Sequence, residues 1–275
     1  MIRDFATSSG FRKVAAAWLG GTAPEPAVAR PSASLLLVAD GASGVETFML
    51  RRQASMAFAA GMYVFPGGGV DPRDAATDLP WAGPGPDDWG TWLGASPAQA
   101  AALVCAAVRE TFEECGVLLV GPDATSVTGD VSGAGWESDR RALVDHDLAL
   151  SQLLERRRLV LRSDLLRPWA HWTTPVFEPR RYDTRFFLAA LPTGQRARHV
   201  AGEASASGWL PASRLLARHA DGEVGLMPPT LVCIEEIAAA DSVAELLGAA
   251  RSVVPVMPWV EADGEDLRLR ADLPQ

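Results

Sequence analysis

Apolar positions along the chain change their period several times, and each change marks an element. ASLLLVAD (33–40) and ETFMLRR (46–52) are short apolar runs joined by GASG, which predicts two strands and a tight turn. YVFPGGG (63–69) is a third apolar run, ending in a glycine-rich turn. Residues 53–62 show no period. Residues 71–95 are rich in Pro, Gly, Asp and Trp and read as a surface insertion that folds back on itself through its motifs PDDW and GTW.

The next segment has a helical period. Ser96-Pro97-Ala98-Gln99 offers an N-cap Ser, Pro at the first helical position and Gln at the third, a capping box. Gly116 is a natural terminator. At about 100° per residue, Ala101, Cys105, Val108 and Phe112 share one face, with Val104 and Cys115 beside them. Glu110 and Glu114 fall on the opposite, outward face, with Glu113 next to them. Arg109 and Glu113 stand at i,i+4, a spacing that allows a charge-assisted hydrogen bond. Downstream, a Gly/Ser/Asp-rich loop covers 121–135, and helical patterns follow at 136–146, 148–158 and 163–168. HWTTPVF (171–177) and residues 182–191 read as strands. Helices are predicted at about 211–219 and 229–249, and a terminal hairpin from 254–260 and 266–271 around Asp263-Gly264. A leader, 1–32, carries a short helix around 11–18. With no internal repeat, the pattern predicts one α/β domain over 33–271, with insertions at about 71–95 and 121–168.

Composition narrows the function. The chain has 275 residues, 48% hydrophobic and 21% charged, with net charge −9. That balance argues against a broad nucleic-acid surface, and a polyanionic small molecule would need a local basic pocket or a bound cation. Lys13 is the only lysine, no G-x-x-x-x-G-K-[ST] loop is present, and no G-x-S-x-G elbow occurs. Cys105, Cys115 and Cys233 fit neither a disulfide framework nor a zinc site. The N-terminus makes a poor signal peptide, and no apolar run reaches the roughly 18 residues of a membrane span. The expectation is a soluble cytoplasmic protein.

The string RETFEECGV (109–117) packs three glutamates and an arginine into six positions. Either this is a solvated helix face, or the site wants negative charge for a cation. Clustered carboxylates repel and raise one another's pKa, and a hard divalent cation reverses both effects. With Phe65-Pro66-Gly67-Gly68 upstream, the string resembles the Nudix box, G-x5-E-x7-R-E-U-x-E-E-x-G-U, where U is bulky and apolar. The resemblance implies a Nudix-type α/β/α sandwich with a mixed sheet and helical insertions. It implies Mg²⁺ or Mn²⁺ held by Glu110 and Glu114, with Glu113 as a further ligand or in the same network, and by the carbonyl of Gly67. Arg109 would orient the glutamates. Two positions depart from the pattern. Thr111 stands at an apolar position, and the insertion splits the box, so that counting back from Arg109 reaches Ala101 where the first glutamate should be. Counting forward from Gly68 reaches Asp74, and Asp71 or Asp74 is the candidate for the missing charge.

The split box, the run 51–68, and Trp169–Pro175 with Arg181–Phe187 resemble the branch that contains the peroxisomal coenzyme A diphosphatases. Ala57 stands where related enzymes carry an arginine, and the chain ends Leu-Pro-Gln rather than Ser-Lys-Leu. Glu203, six residues before Trp209, resembles a loop glutamate that contacts the metal or acts as general base in many Nudix enzymes; the plain alternative is a solvated loop residue. Arg181 and Arg185 alternate on one strand face with Asp183 between them, and read as phosphate clamps or as structural pairs. Arg51 and Arg52 are further phosphate candidates. His171 reads as a structural corner, and Trp209 as core or as an adenine contact. The implied activity is metal-dependent hydrolysis of a nucleoside-diphosphate derivative such as coenzyme A or an acyl-CoA, with Glu113 or Glu203 as base. The rivals are a non-catalytic Nudix-fold binding module and a hydrolase of NADH, ADP-ribose or a nucleotide sugar. The expected partner is a small molecule, with no nucleic acid and no membrane; a homodimer is left open.

Overall fold

An apolar run without alternation, Leu35-Leu36-Leu37-Val38, demands burial on both faces. The computed structural model, which describes residues 1–7, 9–53, 59–75, 79–200, 204–264 and 266–274, shows how that is met. The chain begins β1 (Ile2–Phe5), α1 (Ser9–Leu19), β2 (Arg30–Gly41), β3 (Gly44–Arg52), β4 (Tyr63–Val64) and β5 (Gly67–Gly69). It continues β6 (Trp81–Ala82), α2 (Pro86–Leu93), α3 (Pro97–Cys115), β7 (Val120–Gly121), α4 (Ala134–Val144), α5 (Leu150–Arg157) and β8 (Val160–Arg162). Then come β9 (Arg167–Thr173), β10 (Tyr182–Ala190), β11 (Ala204–Pro211), α6 (Ala212–Ala220), α7 (Pro228–Ala239) and α8 (Val243–Gly248), and finally β12 (Pro255–Val256), β13 (Trp259–Asp263) and β14 (Asp266–Asp272).

The main sheet runs β11-β3-β2-β10-β9-β12, with β4 added to β3 and β5 to β2. It is mixed: β2 and β10 are parallel, as are β9 and β12, while β2–β3, β3–β11 and β9–β10 are antiparallel. Side chains alternate between two apolar layers. Leu35, Leu37 and Phe187 join the layer that holds α2 and α3, whereas Leu36, Val38 and Leu188 join the layer that holds α6, α7 and α8. This is the α/β/α sandwich that the resemblance implied. Two small sheets, β1-β14-β13 and β6-β8-β7, complete it.

Several elements differ from the sequence reading, each for a local reason. The 71–95 stretch, expected at the surface, carries α2, whose Trp89 is fully buried and packs on Phe187 with ring centroids 5.6 Å apart. Gly67–Gly69, expected as a turn, pairs with Ser32–Ser34 as a strand. The helix expected over 163–168 is a single 3-10 turn, Ser163–Leu165, because Pro168 has no backbone N–H for a helix interior. The following strand therefore starts at Arg167 and ends at Thr173, ahead of the predicted 171–177. The 229–249 helix breaks after Ala239, and Ser242 caps a second helix by accepting from the Glu245 N–H. Residues 204–209, which follow the expected loop at Glu203, form the first part of β11 against β3. Residues 1–32, read as a leader, supply β1, which pairs with β14, and bury Phe5 and Ala15.

Candidate active site

Helix α3 positions the site, and its ends are fixed as its sequence demands. The Ser96 hydroxyl accepts from the Gln99 N–H while the Gln99 side chain accepts from the Ser96 N–H, and Gly116 closes the helix at φ 70°. Between these ends the helix is buried almost all round. The glutamates therefore do not form an outer, solvated line. Glu110 and Glu113 are 14% and 11% exposed and, with Glu114, face a cleft of about 1320 Å³. Thr111, the departure from the apolar pattern, is buried with its hydroxyl donating to the Ala107 carbonyl at 2.7 Å. A hydroxyl satisfied within its own helix fits an apolar position at little cost.

Arg109 is the hub. Its Nε and Nη2 donate to both carboxylate oxygens of Asp74 at 2.9 Å. Its Nη1 reaches Glu110 at 2.9 Å and Glu113 at 3.2 Å, and Nη2 also donates to the Gly69 carbonyl at 2.9 Å. Asp74 thus supplies the charge absent at Ala101: the short turn Pro72–Ala75 carries it to the guanidinium before the rest of the insertion departs. Asp71 has another task, pairing with Arg73, which holds its carboxyl well below the usual range. The glycine strand approaches the same carboxylates. The Gly67 N–H donates to Glu114 at 2.7 Å, and a Cβ on Gly68 would come 2.4 Å from Glu110 Oε1, so only glycine permits this approach.

Burial pushes the Glu110 carboxyl up to about 7 despite Arg109, and raises Glu113 in the same direction. Burial also works against the charge on Arg109, but its bonds to Asp74 and the surrounding carboxylates more than offset this. The donors on offer are all oxygen, which suits a hard divalent cation. Among the described residues, no three His, Cys, Asp or Glu side chains form a metal cage by themselves. A cation of the magnesium type requires no such cage, because it keeps waters and substrate phosphates in its shell. Glu110, Glu114 and Glu113, with the Gly67 carbonyl, are the groups that fit such an ion.

The other candidates fall in different places. Strand β10 turns Tyr182, Thr184 and Phe186 toward the cleft, and Arg181 and Arg185 lie on the face away from it. Arg181 donates to the carbonyls of Thr174 and Ala27. Arg185 is buried, bonded to Asp183 at 2.8 Å, to His171 at 2.5 Å and to the Leu93 carbonyl. The structure thus makes both arginines structural, with His171 in the same buried network. That network, through His171 first and then Arg185, holds the Asp183 carboxyl far below its ordinary range. Arg52 lines the cleft, while Arg51 is exposed and reaches the Gly61 carbonyl. Glu203 and Ala57 lie outside the described residues. Trp209 packs edge-on against Phe48. The sequence reading passed over Glu137, Arg140, Arg141 and Arg198, which line the cleft beside the end of α3. They come from insertion and loop segments whose spacing carries no motif; only the surplus of arginine in a lysine-poor chain hinted at them.

Comparison with known proteins identifies the family. A family model described as the NUDT19 Nudix domain matches residues 88–237, more than half of the chain. Acyl-coenzyme A diphosphatase NUDT19 from Gallus gallus is 29% identical over 251 residues, covering 73% of this chain and 65% of that protein. The protein of the same name from Homo sapiens is 29% identical over 245 residues, covering 74% of this chain and 64% of that one. The chain thus spans somewhat less than two thirds of the length of these relatives. A crystal structure of a Nudix hydrolase from Alicyclobacillus acidocaldarius is 30% identical, with a TM-score of 0.67, over 82% of this chain and 98% of that one. With its glycine strand, its arginine hub and its glutamate helix in register, the chain belongs to the Nudix hydrolase family, on the branch of the NUDT19 Nudix domain.

Proposed function

We propose that this protein is a metal-dependent diphosphatase acting on coenzyme A or an acyl-CoA, cut to 3′,5′-ADP and a phosphopantetheine. The observation that carries the reading is the cluster of Arg109, Glu110 and Glu113 lining the cleft, with Asp74 buried behind Arg109. It supports reading Asp74 as the charge that the split box lacks at Ala101, and so favours turnover over a binding module. The names of the Gallus gallus and Homo sapiens relatives support the acyl-CoA class. A bound Mg²⁺ or Mn²⁺ supplies charge neutralisation on the diphosphate and a more acidic water. The chain's own residues do the rest. Asp74 and the Gly69 carbonyl fix Arg109, Arg109 fixes Glu110 and Glu113, and the Gly67 N–H fixes Glu114. Glu113, whose buried carboxyl has a raised proton affinity, takes the proton of the attacking water.

The test is a panel of coenzyme A, acyl-CoA, NADH and ADP-ribose with Mg²⁺ and Mn²⁺, products resolved by mass. Glu114→Gln should lower kcat roughly 100-fold, since a charged oxygen ligand is lost. Its fold should survive, because the amide oxygen still accepts from the Gly67 N–H. Wild-type turnover in Glu114→Gln would refute the glutamate assignment; much faster cleavage of NADH or ADP-ribose would leave the diphosphatase and remove coenzyme A.

A further inference from the structure

The chain as a whole carries net charge −9, yet one wall of the cleft gathers three arginines on a single carboxylate. Glu137 of α4 accepts from Arg140 at 3.0 and 2.6 Å, from Arg141 at 3.2 Å and from Arg198 at 3.1 Å. All four residues line the cleft. Arg140 is buried, and its Nη1 donates to the Glu113 carbonyl at 2.8 Å, capping the last turn of α3. Arg198 lies across Gly116 so closely that a Cβ there would meet its Nη1 at 2.3 Å. Arg141 differs from both: its side chain is 71% exposed, and it meets Glu137 through Nε.

The charges decide what such a wall takes. Three guanidiniums against one carboxylate leave a surplus of about two positive charges, and a phosphate monoester carries about −1.5 to −2 at neutral pH. Asp130 also feels Arg198, but it feels Arg196 as well, so that pair adds no net charge. The scissile diphosphate carries less charge per phosphorus, and the glutamate cluster with its cation is its proposed seat. We infer that Arg141 and Arg198, gathered on Glu137, bind a phosphate monoester that the substrate carries apart from its scissile diphosphate. The inference rests on the proposed function only for the identity of that substrate.

Two ligand pairs differ by one such phosphate: coenzyme A against dephospho-coenzyme A, and NADPH against NADH. Titration calorimetry of the full chain in EDTA reads binding without turnover. The phosphorylated member of at least one pair should bind about tenfold tighter or more, as charge-assisted contacts imply. Arg141→Ala, with an unchanged melting temperature, should erase most of that preference; Arg141→Lys should retain most of it. Arg198→Ala should act in the same direction. No preference in either pair, absence of binding included, overturns the site. Equal weakening of both members by Arg141→Ala also overturns it, since that is what a merely structural tie to Glu137 would give. Diphosphate hydrolysis without the preference would sink this inference alone, and preference without hydrolysis would sink the diphosphatase reading alone.

Discussion

Asp74 and Arg109 form a bidentate pair with side chains 2% and 7% exposed. Removing one partner of such a pair strands a buried charge, at a cost of about 3–5 kcal/mol. Asp74→Asn should therefore lower the urea midpoint and loosen the glutamates together, reducing both stability and turnover. An unchanged midpoint would mean that Glu110, Glu113 and the Gly69 carbonyl hold Arg109 without it. The pair shows how far residue types alone could be read. The Arg109–Glu113 contact followed from i,i+4 spacing, and Asp74 from counting forward from Gly68. Choosing Asp74 over Asp71 needed the turn Pro72–Ala75, which turns Asp74 to Arg109 and leaves Asp71 to Arg73. Arg181 and Arg185 mark the opposite limit. Alternation placed them on one strand face, but it contains no information about which face the cleft opens on; Tyr182, Thr184 and Phe186 have that side.

At the scale of elements, capping chemistry was legible because it is local. Ser96, Gln99 and Gly116 bound α3 as their sequence implied, since each acts within one turn. The 71–95 segment was not legible, because its burial depends on distant partners. Trp89 is reached by Phe187 of β10 and Trp92 of its own helix, and its indole N–H finds no hydrogen-bond partner among the described residues. Trp89→Ala should cost about 3–5 kcal/mol by the cavity it leaves. Trp89→Phe should cost much less, because it also removes a buried donor without a partner. Chemical denaturation of the two variants checks this; equal costs would mean that the indole itself, rather than the volume it fills, sets the loss. The same packing makes the insertion part of the sheet's support, and α2 is tied to the buried network through the Leu93 carbonyl that Arg185 holds.

For the whole molecule, acid response follows from groups with opposite signs. Arg140, opposed in part by burial and joined by Arg198 and Arg141, draws the Glu137 carboxyl down from its ordinary 4.5 to about 2. The stabilisation is thus fully present above about pH 4.5 and is lost as pH falls toward 2. Burial raises Glu110 to about 7, so in metal-free protein its contribution declines as pH rises from 4.5 through 7. Thermal melting in EDTA should accordingly peak between these ranges, and Glu137→Gln should flatten the acid limb. A wild-type acid limb in Glu137→Gln would assign that limb to other carboxylates. The parallel register of β2 and β10 has a different consequence. Ser32 and Thr184 touch across a sequence separation of 152 residues, and everything that builds the glutamate cluster is threaded between them. On a ribosome, β2 meets β3 at once but must wait for most of the chain before it meets its parallel neighbour β10. Until then the strand that carries Leu35, Leu36 and Leu37 keeps one edge unpaired, so the nascent chain exposes an apolar, aggregation-prone strand edge for most of its synthesis.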